Sequence, residues 1–219
     1  MESREFVAGL VAEMQGLFAG LGVQGALEAE SQGRVEIVTL LRLAMKSEIE
    51  AAELAGFWMP TTPELDAKLV FAGQCGDEMR HYQLIAERLA ALGDDPSGFD
   101  PLAEGYSPLY GYLRGLRTTV ERVAAGPFAR EAIAEVRNAQ FIALCERQGD
   151  AETARLYRDL IQPEEVHHHR LGRELLEKHC TSAEAQRLAA EATRATLAIA
   201  DELSNLALKR SGLHHIPAS

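Results

Sequence analysis

Two segments of the chain carry a glutamate followed three positions later by a histidine. The first pair is Glu78 and His81, and the second is Glu165 and His168. On an α-helix this spacing places the two side chains one turn apart on the same face, where a carboxylate oxygen and an imidazole nitrogen can bind one metal ion. A single such pair occurs by chance in many helical proteins, but its repetition on a second long helix indicates a metal site.

The second motif has a competing register, because Glu164 and His167 have the same spacing. A proline just before the motif can kink the helix, so the inward face is inferred from residues that follow it. Gly172 belongs to that face, and His168 lies one turn before it. The sequence therefore favours Glu165 and His168, and the other register stays open.

A carboxylate-bridged metal pair also needs one glutamate from each of two further helices. In the helix before the first motif, Glu48 lies on an apolar stripe, whereas Glu50 has polar neighbours and is expected to be solvated. In the helix before the second motif, Glu135 aligns with apolar residues and is preferred to Glu131. The separation from Glu48 to its motif equals that from Glu135 to its motif, as expected for two similar helical hairpins. Both choices of glutamate remain open.

The elements that must position these residues are predicted to be helices, because Ala, Leu, Glu and Arg dominate and apolar residues recur at spacings of three and four. The predicted fold class is all-α, with a single domain over residues 1–219. That domain has a four-helix core over about 34–179 and flanking helices over about 2–20 and 182–209. The tail from Leu213 is expected to be loose.

Prolines and glycines set the predicted limits of the core helices. Gly126-Pro127 is expected to break or kink the third core helix, and Asp150 is expected to cap the fourth. The first two predicted core helices cover about 34–59 and about 62–92, and residues 93–106 form the crossover that follows them. A helical stretch begins near 107 and leads into the third helix, which ends near 148. The fourth helix covers about 150–179.

Composition excludes several classes of protein. A net charge of −11 and a sequence pI near 5.1 argue against a large nucleic-acid surface, so nucleic acid is not expected as a partner. Three scattered cysteines cannot form a disulfide framework and fit a reducing compartment. No stretch approaches the roughly 20 apolar residues of a membrane span, and the N-terminus lacks the features of a signal peptide. The expected location is cytoplasmic, without a membrane partner.

These residues resemble those of the ferritin-like superfamily of di-iron carboxylate proteins, which includes rubrerythrins, bacterioferritins, aldehyde-deformylating oxygenases and tRNA hydroxylases. The resemblance covers about residues 34–179 and implies a ferritin-like four-helix bundle around two iron ions. Carboxylate and imidazole ligands suit Fe(II), and the same set allows manganese or a mixed pair. The expected metal ligands are Glu48, Glu78, His81, Glu135, Glu165 and His168.

The resemblance implies an oxidoreductase that activates dioxygen or peroxide, as an oxygenase or oxidase of a small or apolar substrate. Three scattered cysteines cannot supply a rubredoxin module, so a separate electron donor is expected. A homodimer is compatible with this interpretation. Two alternatives belong to other classes of protein: a ferroxidase that binds iron for storage or detoxification, and a metal-free helical interaction module in whose core Glu and His satisfy one another.

Overall fold

The computed structural model describes the backbone of residues 1–20 and 36–210, and the side chains of residues 1–18 and 36–203. The predicted start of the first core helix near residue 34 and the predicted loose tail from Leu213 lie outside these ranges. The all-α prediction is confirmed for the described residues, which include no β-strand.

Seven helices cover most of the described chain, and two short 3-10 turns follow the second and third of them at Met59–Thr61 and Pro96–Gly98. The helices are α1 (Ser3–Gly20), α2 (Ile37–Trp58), α3 (Leu65–Ala91), α4 (Pro108–Arg114), α5 (119–148), α6 (151–179) and α7 (Ala183–Arg210).

Most helix ends follow from local chemistry. Gly93 and Gly149 take left-handed φ angles of 85° and 81° after α3 and α5, and Asp150 accepts a hydrogen bond from the Thr153 amide, so it caps α6 as predicted. Helix α3 begins at Leu65, later than predicted. Thr62 does not cap it, because the Thr62 hydroxyl donates to the carbonyl oxygen of Trp58 instead.

Helices α5 and α6 each contain a π-helical segment. In α5 it covers Ala124–Arg130, between α-helical Thr119–Val123 and Glu131–Gln148. In α6 it covers Tyr157–Ile161, between Ala151–Leu156 and Gln162–His179. A proline lies inside the first segment and just after the second, and proline cannot donate the usual α-helical hydrogen bond. The third core helix is therefore widened at Gly126-Pro127 and continues through it.

The helices pack as consecutive pairs. Helix α2 lies along α3, α5 contacts α6, and α3 also contacts α6. The flanking helices close one end, where α1 contacts α6 and α7 contacts the π segment of α5. None of the described helices has the length and apolar character needed to cross a membrane.

Two apolar clusters occupy the interior, one toward each end of the long helices. The first includes Leu54, Trp58, Phe71, Phe128 and Leu176, together with residues of α1 and α7. The second includes Leu41, Met45, Ile85, Phe141, Leu144 and Ile161. Along α2, α3, α5 and α6 the segment between the two clusters carries buried polar residues, which form a layer enclosed on both sides by apolar packing.

Candidate metal centre

Six side chains from α2, α3, α5 and α6 meet in this buried polar layer. Among the described residues they form two overlapping groups, in each of which the candidate ligand atoms all lie within 4.8 Å of one another. We call these groups position 1 and position 2. Position 1 consists of Glu48, Glu78, His81 and Glu165, and position 2 consists of Glu78, Glu131, Glu165 and His168.

Glu78 and Glu165 belong to both positions, and each has one oxygen near each histidine. Glu78 Oε2 lies 3.4 Å from His81 Nδ1, and Glu78 Oε1 lies 3.8 Å from His168 Nδ1. Glu165 Oε1 lies 3.7 Å from His81 Nδ1, and Glu165 Oε2 lies 3.7 Å from His168 Nδ1. Ligand atoms bound to one ion at about 2.1 Å are up to about 4.2 Å apart. The two carboxylates can therefore bridge a pair of ions.

Each histidine is held by an acidic residue from the opposite helix. His81 Nε2 lies 2.8 Å from Glu164 Oε2, and His168 Nε2 lies 3.1 Å from Asp77 Oδ2. Both acidic residues stand immediately before the Glu-x-x-His motif of their own helix. A carboxylate at Nε2 favours the tautomer with the proton on that nitrogen, so each Nδ1 keeps its lone pair for a metal ion.

Glu131 is fixed by two donors. Its Oε1 accepts from Gln74 Nε2 at 2.6 Å and from Arg130 Nη1 at 2.9 Å. Arg130 is anchored in turn, since its Nη2 donates to the carbonyl oxygen and the hydroxyl of Ser47 at 2.9 and 3.1 Å. The other carboxylate oxygen of Glu131, Oε2, has no hydrogen-bond partner among the described residues, so it is available at position 2.

Burial and mutual repulsion shift the pKa values of the cluster. Burial, with the adjacent Glu78 carboxylate, raises the pKa of Glu48 to about 8, and burial likewise raises the pKa of Glu165 well above its ordinary value. Burial opposes the charge of His81, but Glu48 and Glu78 outweigh it and raise the pKa of His81 to about 11. Without metal, the cluster therefore retains protons at neutral pH.

The cluster has the properties of an incomplete site. With their protons removed, the four buried carboxylates carry more negative charge than the mostly buried guanidinium of Arg130 can balance. Buried polar atoms without partners are costly, and within the described chain the cluster contains several of them. Divalent cations would satisfy both the charge and the unpartnered atoms, so the donor set fits a pair of metal ions. The unpartnered atoms are Glu78 Oε2, His81 Nδ1, Glu131 Oε2, Glu165 Oε2 and His168 Nδ1.

The structure brings together five of the six predicted ligands, namely Glu48, Glu78, His81, Glu165 and His168. The competing register lies outside the groups. Glu164 serves as the outer partner of His81, and His167 is exposed with its Nδ1 beside Arg170.

Glu135 is the predicted ligand that the structure does not bring into either group, and Glu131 stands there instead. Glu135 is half-buried, one turn further along α5. The prediction extended an α-helical face from Phe128, but that residue lies inside the π segment, where five residues separate hydrogen-bonded groups. The face that follows Glu131 is therefore rotated relative to the extrapolated one, and the equal separations in sequence do not reflect the geometry.

Glu50 is also placed differently from the prediction, because it is buried. It stays outside the metal positions and accepts hydrogen bonds from the amide and the hydroxyl of Ser107, at 2.6 and 2.5 Å. These contacts fix the residue that caps α4. The choice of Glu48 over Glu50 therefore agrees with the geometry, although both side chains are buried.

Sequence reasoning missed the residues around the ligands. Asp77 and Glu164 had a detectable signal, since an acidic residue precedes each motif. Arg130 and Gln74 had none, because their contacts depend on how helices cross. Tyr157 is a further buried residue near Glu48 and Glu165; its hydroxyl has no partner within the described chain, and burial raises its pKa well above the ordinary value.

Comparison of the chain with protein-family models, with curated protein sequences and with solved structures finds no match.

Proposed function

We propose that the chain binds two metal ions, iron in the first instance, and acts as a non-haem di-iron oxidoreductase built on a ferritin-like bundle. The expected reaction is the activation of dioxygen or peroxide by an oxygenase or oxidase of a small or apolar substrate. Electrons come from a separate donor. The resemblance of the paired Glu-x-x-His motifs to those of di-iron carboxylate proteins supports this choice of chemistry.

One observation carries the proposal: each of two buried glutamates, Glu78 and Glu165, has one oxygen near each of two histidine Nδ1 atoms. A metal-free core would be expected to pair these groups with hydrogen-bond donors. Here the Nε2 atom of each histidine lies beside an outer carboxylate, Glu164 or Asp77, and the inner atoms lack hydrogen-bond partners among the described residues. This arrangement supports two adjacent cations.

The ligand types favour iron over zinc. Four carboxylates and two imidazoles supply hard oxygen and borderline nitrogen donors, whereas structural zinc sites rely on cysteine and histidine. The same donors accept manganese, so a manganese or mixed pair belongs to the same proposal. When bound, a ferrous pair supplies the electrons that reduce dioxygen or peroxide.

The protein side chains have distinct roles in this proposal. Glu78 and Glu165 would each contact both ions, and His81 and His168 would bind one ion each. The terminal carboxylates complete the two positions, and the apolar clusters on both sides limit the access of water. Glu48 would complete position 1, and it lacks the hydrogen bonds from Gln74 and Arg130 that hold Glu131 at position 2.

The test is the metal content of protein expressed with iron, compared between wild type and a Glu78→Ala, Glu165→Ala double variant. We expect about two irons per chain in the wild type and almost none in the variant, because both bridging carboxylates are lost. The matched control is a Glu87→Ala, Glu174→Ala double variant, which removes two exposed glutamates from the same helices and should retain the metal.

Equal metal content in the wild type and the Glu78→Ala, Glu165→Ala variant would contradict the proposal. Iron accumulating far beyond two ions per chain during aerobic loading would favour the ferroxidase alternative. Oxygen consumption by the ferrous protein in the presence of a reductant distinguishes an oxidase from a storage protein. A fixed ratio of oxygen consumed to reductant oxidised would support the oxidase.

Metal binding is expected to release protons. In the metal-free protein the raised pKa values of Glu48, at about 8, and of Glu165 and His81 keep these groups protonated near pH 7, whereas the metal-bound forms must be deprotonated. Affinity should therefore rise with pH between about 6 and 8, by roughly tenfold per unit for each proton released. Calorimetric titrations in two buffers of different ionisation enthalpy count the protons, and an identical heat in both buffers would refute the expectation.

A further inference from the structure

The two metal positions have matching ligands but different surroundings. Each has one histidine, one glutamate of its own and a share of the two bridging carboxylates. Each histidine also has an acidic partner at Nε2. The difference lies in the glutamates that are not shared, Glu48 at position 1 and Glu131 at position 2.

Glu131 accepts two hydrogen bonds that have no counterpart at Glu48. Two donors from outside the ligand set, Gln74 and Arg130, hold Glu131 Oε1, and the Glu131 side chain is fully buried. Neither Gln74 nor Arg130 donates a hydrogen bond to Glu48, whose Oε2 lies 3.5 Å from His81 Nδ1. The Glu48 side chain is 9% exposed, whereas the Glu131 side chain is 0% exposed.

Arg130 places a permanent positive charge beside position 2. Besides Glu131, its Nη1 lies 3.8 Å from Glu78 Oε1, the oxygen nearer to His168. The guanidinium is mostly buried, at 14% exposed, so water screens it weakly. The nearby cation Arg80 hydrogen-bonds Glu164, the outer partner of His81, and lies 3.9 Å from Asp77, the outer partner of His168. Arg80 is half-exposed, so water screens its charge more strongly than that of Arg130.

We propose that Arg130 makes the two metal positions unequal, so that position 1 binds the first divalent ion and position 2 binds the second at least about tenfold more weakly. A fixed charge a few ångströms from a divalent ion opposes its binding more than the ordering of one glutamate side chain favours it. This inference rests on the proposed dinuclear site and adds an order of loading to it.

The test separates the positions with matched variants. His168→Gln leaves only position 1 complete, and His81→Gln leaves only position 2 complete. Calorimetric titration of each metal-free variant with Co(II) should give a dissociation constant at least tenfold weaker for His81→Gln. Arg130→Gln removes the charge but retains an amide donor. Added to His81→Gln, it should raise the affinity for Co(II) about tenfold, and added to His168→Gln, it should change that affinity little.

Arg130→Lys keeps the positive charge, so it should not raise the affinity of the His81→Gln variant for Co(II). This comparison separates the effect of the charge from that of the side-chain shape. Circular dichroism checks that each variant folds, and the comparison of the two histidine variants tests the order of loading even without a folded Arg130 variant. Equal affinities in the two histidine variants, or an equal effect of Arg130→Gln on both, would overturn the inference while leaving the dinuclear site intact. A wild-type protein that binds no Co(II) would overturn both.

Discussion

Glu131→Gln is expected to lower the iron content from about two ions to about one per chain, whereas Glu135→Gln is expected to leave it unchanged. Glu131 Oε2 is buried, lacks a partner among the described residues and belongs to position 2, while Glu135 belongs to neither position. The same chemical change is made one helical turn apart in α5. The pair therefore tests the geometry of the site with little change in size or helix propensity.

Metal analysis after reconstitution with iron measures this outcome, and thermal unfolding verifies that both variants are folded. The glutamine at position 131 can still accept hydrogen bonds from Gln74 and Arg130 through its amide oxygen, so loss of metal would not reflect a broken packing contact. Loss of metal in Glu135→Gln together with full content in Glu131→Gln would show that the arrangement of α5 is different from the one described.

Gly172→Ala is expected to destabilise the protein by about 3 kcal/mol, which corresponds to a fall of roughly 6–12 °C in Tm. A Cβ atom at this position would lie 2.6 Å from the amide nitrogen of Phe128 and 2.6 Å from the carbonyl carbon of Pro127. Both atoms belong to the backbone of the π segment in α5, which cannot move aside as a flexible side chain can. Helix α6 would have to separate from α5.

Gly73→Ala is the matched control for Gly172→Ala. Gly73 is exposed and lies away from the ends of α3. An added Cβ atom would have no neighbour within 4 Å, so alanine should stabilise the helix by about 0.5–1 kcal/mol. Chemical unfolding in the presence of a chelator measures both variants without a contribution from bound metal. A Gly172→Ala protein as stable as wild type would mean that the helices do not approach as closely as described.

Local patterns predicted much of the fold. The all-α class, the turn at Gly149-Asp150 and the end of α3 at Gly93 depend on residues close in sequence, and the structure contains all of them. Both Glu-x-x-His motifs were likewise visible, because three positions along a helix fix which face two side chains share. The choice of Glu48 as the inward-facing glutamate followed from its place on the apolar stripe of a regular α-helix.

The sequence predicted less wherever helices depart from regular geometry or meet each other. The face of α5 was extrapolated with an α-helical period through a π segment, and the period changes there. The positions of Arg130 and Gln74 depend on the crossing of α2, α3 and α5, which no single helix encodes. Glu50 was expected to be solvated because its neighbours on α2 are polar, but α4 covers it through Ser107.

The exchange of outer partners between α3 and α6 has a consequence for how the chain folds. The hairpin of α2 and α3 carries Glu48, Glu78 and His81 but lacks Glu165 and the carboxylate that orients its histidine; the hairpin of α5 and α6 lacks Glu78 and Asp77 in the same way. Neither half can form a complete site alone. We therefore expect metal ions to bind at full affinity only after both hairpins have docked, so that metal binding would be coupled to completion of the fold.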